Sequence, residues 1–346
     1  EGEVQGSDVA AHSAGVLDIK TNILANTDAL YLTAIDKYGH ELWRWTFPVD
    51  KLNQQTEPIS FLSIRPTYTE TENDLTVKAN KRTFIFSKKD GQLKGVSVDN
   101  RKINFANGPR FIGARRADRS LDQFYNHDDE KAKEKDRTYS EFPDAAVFTK
   151  LDVKEDGGNL VVTANYKLGN LDKAQWTINP SGELALDYTY NFSGVVDLMG
   201  IRFDYPEDQV ISKRWLGAGP YRVWQNRIHG TQYDVWENDY NDPIPGETFT
   251  YPEFKGYFGN VSWMNIQTKE GTISLTNETP DAYIGVYQPR DGRDRLLYTL
   301  PESGISVLNV IPPVRNKVNS TDLCGPSSQP KWVNGPQTGR VIFRFM

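Results

Sequence analysis

Short runs in which apolar and polar residues alternate recur along almost the whole chain. A period of two, cut repeatedly by Gly, Pro, Asn and Asp, constrains the fold more than any other feature, because it buries one face of a strand and not of a helix. Residues 75–79, 83–86 and 93–98 read this way, and the Asp90-Gly91 pair between the last two predicts a tight hairpin. Further runs are predicted at 16–23, 29–34, 41–47, 145–153, 160–166, 174–178, 184–192, 272–276, 282–286, 305–310 and 340–345. Strands this short and this regularly punctuated predict an all-β protein built as an antiparallel sandwich. Asn107-Gly108-Pro109-Arg110-Phe111 is expected to open a loop rich in arginine (Arg115, Arg116, Arg119), and 128–137 is the one charged, helix-compatible run, expected to be solvated. No repeat of fixed period is evident, which sets aside propellers and solenoids.

Size and charge exclude several functions. A chain of 346 residues has room for two or three domains, or one large β domain with an appendage. A net charge of −6 leaves no basic excess for a nucleic-acid backbone. No apolar run is long enough to span a membrane as a helix. Cys324 is the only cysteine, so no internal disulfide and no cysteine metal site is available. His12, His40, His127 and His229 lack paired spacing, and Asp239-Tyr240-Asn241-Asp242 lacks the glycine of a calcium loop, so neither a metal nor a cofactor is expected. The first residue is Glu1, and 30–47 reads like the closing strands of a domain begun elsewhere, so the chain is expected to be part of something longer.

Between Trp215 and Trp263 lies a band of Trp, Tyr, Arg, Asn and Asp bracketed by glycine-rich turns. Flat rings beside bidentate donors and acceptors suit a sugar, which offers an apolar face and a rim of hydroxyls. The candidate carbohydrate-binding residues are Tyr221, Trp224, Arg227, His229, Asp234, Trp236, Glu253 and, near the end of the chain, Trp332. The competing reading of the same aromatics is ordinary packing between sheets.

The order of several motifs resembles the C-terminal part of glycoside hydrolase family 2 enzymes of the β-galactosidase type. The hairpin Ala34-Ile35-Asp36-Lys37-Tyr38-Gly39-His40-Glu41-Leu42-Trp43-Arg44-Trp45 resembles the close of that family's immunoglobulin-like domain, and Phe84-Ile85-Phe86-Ser87-Lys88-Lys89-Asp90-Gly91-Gln92-Leu93 the opening of its supersandwich. Gly217-Ala218-Gly219-Pro220 stands where the family has Gly-Arg-Gly-Pro, and Pro252-Glu253-Phe254-Lys255-Gly256-Tyr257 is similar to a later glycine-bearing loop. The chain departs from the family after the first of these, keeping an arginine and an aromatic, and it has Cys324-Gly325-Pro326-Ser327-Ser328-Gln329-Pro330-Lys331-Trp332 where the family often has Gly-Asp-Asp-Ser-Trp.

The resemblance implies the end of an immunoglobulin-like sandwich over 1–50, a linker over 51–66, and a large antiparallel β-supersandwich of the galactose-mutarotase-like fold over 67–346. It implies a periplasmic or extracellular carbohydrate-binding and structural region. The catalytic glutamate pair would sit on a barrel outside this chain, in N-terminal domains that would be its partner, and no residue here would be catalytic. Two other readings remain open at this level. One is an autonomous supersandwich epimerase or polysaccharide lyase using His229, Tyr233, Arg227 and Glu253; the other is a stand-alone carbohydrate-binding module.

Overall fold

The structure is a computed structural model that describes residues 2–20, 27, 29–49, 64–116, 139–240, 254–287, 300–314 and 325–346. Contacts divide the chain into two units, Glu1–Pro58 and Ile59–Met346. In the first unit, β1 (Ala29–Ile35) and β2 (Glu41–Pro48) pair antiparallel. Their turn is closed by the Asp36 carboxylate, which accepts the backbone N–H groups of Tyr38 at 2.8 Å and His40 at 2.9 Å. Those N–H donors, His40 first, hold the Asp36 pKa below its ordinary value. Residues 16–20 alternate in sequence but form no strand. Alternation marks a strand only where a neighbour accepts its ladder, and none does here among the described residues.

The second unit is all-β and antiparallel, as the strand spacing predicts. Its first sheet has ten strands. They are β3 (Thr67–Glu70), β4 (Asp74–Ala79), β5 (Arg82–Ser87), β6 (Leu93–Val98), β7 (Arg101–Ile103), β8 (Ala106–Arg116), β9 (Tyr139–Glu141), β14 (Leu198–Asp204), β19 (Tyr283–Val286) and β20 (Ile305–Val310). The path runs β19-β20-β14-β8-β6-β5-β4-β3, with β7 on β6 and β9 on β8. The second sheet has nine strands: β10 (Val147–Asp156), β11 (Asn159–Lys167), β12 (Leu171–Ile178), β13 (Leu184–Val196), β15 (Val210–Gly219), β16 (Gln232–Asp239), β17 (Trp263–Thr268), β18 (Gly271–Asn277) and β21 (Lys331–Phe345). Its order is β10-β11-β12-β13-β21-β18-β17-β15-β16.

Two corrections concern strand limits. The stretch expected to open a loop at Asn107 is the 11-residue strand β8, which runs through Gly108-Pro109 and pairs with β14. The final strand begins at Lys331, not at residue 340, and spans 15 residues across Gly335, Pro336 and Gly339. Residues 51–63 of the expected linker, the charged run 128–137, Glu253 and Cys324 lie outside the described residues.

The inward positions of the two sheets meet in one core. Phe86 lies 5.9 Å from Trp176, Phe84 6.2 Å from Phe345, and Phe203 5.4 Å from Phe343, each pair bridging the layers. Alternation then sends Ile112, Leu198 and Leu308 to the outer face of the ten-stranded sheet, because their neighbours Phe111, Met199 and Val307 point inward. That outer face is not left to water. Val223, Trp224, Tyr257, Leu300, Ile311 and Val314 cover it, forming a smaller second core from loop residues. This second core positions the turn that follows β15.

Candidate functional site

At the end of β15 the chain enters Pro220 and folds Tyr221 to Arg227 into a closed turn. Val223 and Tyr257 exchange backbone hydrogen bonds of 2.7 Å in both directions. Gly256 makes that approach possible, since a Cβ there would stand 1.9 Å from the Val223 carbonyl oxygen. Trp224 and Arg227 bond to each other's backbone, at 3.3 and 2.8 Å. The Trp224 ring is 1% exposed and meets Tyr257 edge-on at 5.7 Å. Trp224, expected to stack on a sugar, is thus a buried member of the second core.

The next two residues tie distant segments together. Gln225 is buried, and its backbone N–H donates to the Pro312 carbonyl at 3.0 Å. Its side-chain Nε2 donates to the carbonyls of Ser327 at 3.0 Å and Gln329 at 2.6 Å. The Asn226 Oδ1 accepts the Val314 N–H at 2.9 Å. From β8, Arg116 donates to the Ser328 carbonyl at 3.1 Å, while its own N–H donates to the buried Asp197 carboxylate at 2.9 Å. The turn after β15 and the 325–329 segment, which sequence reading singled out separately, are thus one assembly. Three residues further on, Trp332, the second residue of β21, has 72% of its surface exposed.

Beside this clamp lies an aromatic and cationic cluster. The Arg227 guanidinium sits 4.4 Å from the Phe254 ring centre and 5.8 Å from that of Tyr221. Tyr221 and Phe254 meet edge-on at 5.2 Å, and the Tyr221 hydroxyl donates to the His229 carbonyl at 3.0 Å. The His229 side chain itself is exposed. Asp234 and Trp236 stand on the edge strand β16. Trp236 is half-buried against Gly219, where a Cβ would stand 2.4 Å from its ring, and its Nε1 donates to the Gln232 carbonyl at 3.3 Å. Asp234 accepts the Val235 N–H at 2.6 Å. Tyr233 shares a 2.6 Å hydrogen bond with Ser262.

The fold therefore gathers Tyr221, Arg227 and the His229 backbone, links them through Gln225 and Asn226 to the approach to Trp332, and leaves Asp234 and Trp236 on a neighbouring strand. Gln225, Asn226, Arg116, Asp197 and Phe254 were not singled out from sequence. Their partners lie far along the chain, and only Arg116, read with Arg115 as part of an arginine-rich loop, carried a local signal. Among the described residues, no group of three or more His, Cys, Asp or Glu side chains is placed to hold a metal ion.

The profile of a family described as "Beta galactosidase small chain" matches residues 78–312. The chain belongs to that family. The matched span of this small-chain domain takes in the turn after β15 and the second core apart from Val314, and stops before the segment that leads to Trp332. Solved structures similar to the small-chain domain include a galactose 1-epimerase from Lactobacillus acidophilus NCFM, at 9% identity over 82% of this chain and 99% of that one, with a TM-score of 0.43. A GalM/aldose epimerase homologue from C. elegans is similar at 7% identity over 81% and 99%, with a TM-score of 0.39. No curated protein matches the chain in sequence.

Proposed function

We propose that this chain is the C-terminal carbohydrate-binding and structural region of a β-galactosidase-type family 2 glycoside hydrolase, acting in the periplasm or outside the cell. Its sandwich carries a sugar-facing corner, and a barrel supplied by the remainder of the enzyme carries the glutamate pair that breaks the bond. The hairpin β1–β2 would close an immunoglobulin-like domain that joins the two.

The observation that carries this reading is the Gln225 clamp. A buried amide holds the approach to an exposed Trp332 against the turn that presents Tyr221 and Arg227. An exposed aromatic three residues beyond a clamped backbone, and a stacked guanidinium two residues beyond the clamping amide, are equipment for orienting a pyranose. The small-chain family membership supplies the association with β-galactosidase.

The test is hydrolysis of a chromogenic β-galactoside by this chain, by a barrel-bearing large chain, and by their mixture. Turnover is expected only when the barrel is present, with Trp332→Ala in the mixture raising KM more than it lowers kcat. Turnover by this chain alone, abolished by His229→Ala, would replace the proposal with an autonomous enzyme.

A further inference from the structure

On the outer face of the ten-stranded sheet, beside the second core, the protein has a cleft of about 710 Å³. It is lined by residues of β6, β7, β8 and β14 and by two segments, 205–207 and 302–304. Nothing in the sequence reading or in the proposed function uses it.

Its chemistry follows from one cross-strand pair. Arg110 on β8 and Arg202 on β14 are direct partners, so both guanidinium groups leave the same face of the sheet. Like charges placed opposite each other are unfavourable. Burial, and then Arg110, lower the Arg202 pKa, while Glu141, Asp204 and Asp144 pull it the other way. Arg110 relieves its share by pairing with Asp204, which also accepts the Asn107 amide at 3.0 Å. Among the described residues Arg202 makes one hydrogen bond, to the backbone carbonyl of Glu302, with Glu141, Asp144 and Asp204 near enough to act on its charge.

Each guanidinium therefore spends one terminal nitrogen on the protein. Arg110 Nη1 and Arg202 Nη2 make no hydrogen bond among the described residues, and neither atom is buried. Among the described residues the two Nε atoms are buried without a hydrogen-bond partner, as is the Ser303 hydroxyl, on a residue that is 1% exposed. Native interiors leave few polar atoms in this condition, so three on one cleft wall call for a reason.

The wall is also held rigid. Gly304 takes φ +52, and a Cβ there would stand 2.1 Å from the Phe203 carbonyl oxygen, so the 302–304 segment lies directly against β14. Tyr287 donates to the Pro206 carbonyl at 2.7 Å. Tyr205 and the Asn104 N–H both donate to Glu270 at 3.0 Å. At the side of the cleft, Lys94 is paired with Asp74, whereas Lys102 is exposed.

We propose that this cleft binds an acidic sugar, with its carboxylate or sulfate set between Arg110 and Arg202 and its hydroxyls against Asn107 and Asp204. Two adjacent guanidinium edges match a planar or tetrahedral oxyanion, which accepts from both at once. The cleft is far larger than a bare oxyanion and falls in the size range of small-molecule sites. Amide and carboxylate groups on the rest of the lining match a ring of hydroxyls, which both donate and accept. Acidic sugar bound here would tether the protein to an anionic glycan at a place separate from the Trp332 corner.

The inference stands apart from the proposed function and is tested on the whole chain by calorimetric titration with galacturonate, galactose and sodium sulfate. Galacturonate is expected to bind at least roughly tenfold more tightly than either of the others. Arg202→Gln is expected to weaken galacturonate by roughly tenfold or more, Lys102→Gln less, and added salt to weaken it further, while Trp332→Ala leaves it unchanged. Should Arg202→Gln fail to fold, Arg202→Lys keeps the charge, loses the fork, and must still weaken binding. Equal binding of galacturonate and galactose, equal binding of sulfate, or indifference to both Arg202 variants would each overturn the proposal.

Discussion

Trp224 and Trp332 carry opposite predictions, and comparing them tests the account of the corner. Truncating Trp224 to Ala removes a ring that is 1% exposed and packed against Tyr257 in the second core. A buried Trp removes about 150–250 Å² from water. At about 25 cal/mol per Å² the loss reaches roughly 4–6 kcal/mol. The unfolded chain already buries part of that area, so the sum is an upper bound. Measured Trp→Ala losses in cores, about 3–5 kcal/mol, give the better figure. The ring is covered by 300–314 residues that belong to no strand, and these can settle inward, which favours the lower end. Trp332→Ala, at 72% exposure, should stay within roughly 1 kcal/mol. Urea unfolding of both variants, followed by circular dichroism so that eight tryptophans do not confuse the signal, reads the difference. A Trp224→Ala loss below about 1 kcal/mol would mean that the ring is free, and the packing argument would fall.

Other outcomes follow from the same geometry. Gly256→Ala should cost more than an ordinary glycine substitution, since its Cβ meets backbone 1.9 Å away; thermal melting that shows no loss would contradict the close approach. Gln225→Ala leaves the Ser327 and Gln329 carbonyls without their donor, at roughly 1–3 kcal/mol. Hydrogen exchange should therefore quicken in 325–335 while β11–β13 keep their protection. Burial pushes the Tyr188 pKa up to about 12, against about 10 in an unfolded chain. The stability from its burial is present in full below about pH 10 and is lost as pH rises through about 12. Absorbance titration near 295 nm should show it ionising only as the protein unfolds; reversible ionisation near pH 10 in the folded state would refute its burial.

Much of the sandwich was legible because alternation and turn chemistry are local. Asp90-Gly91 forms the turn between β5 and β6, and the runs 160–166, 174–178 and 184–192 fall inside β11, β12 and β13. β8 was read as a loop because Asn107-Gly108-Pro109 resembles a turn when nothing shows that β14 will pair beside it. The first half of β21 was missed for a related reason. Gly335, Pro336 and Gly339 break the pattern, yet β13 accepts every residue from Lys331 to Phe343 in register. The site was legible as composition and not as geometry. A band of rings beside Arg and Asp was visible, but which ring is covered depends on Leu300, Ile311 and Val314, which no local pattern connects to Trp224. The Arg110–Arg202 pair was equally silent, since its members are joined only by the register of β8 on β14.

The place of β21 bears on how this protein is made. Among the described residues it is the one strand joining β10–β13 to β15–β18 in the nine-stranded sheet. A ribosome that has finished residue 330 has produced both halves of that sheet and nothing to stitch them. Until residues 331–345 emerge, β13 and β18 each expose a row of unanswered amides and carbonyls, the kind of seam that another nascent chain can invade. Yield in the cell should thus depend on how fast translation clears that stretch, and on whether a chaperone shields the gap meanwhile.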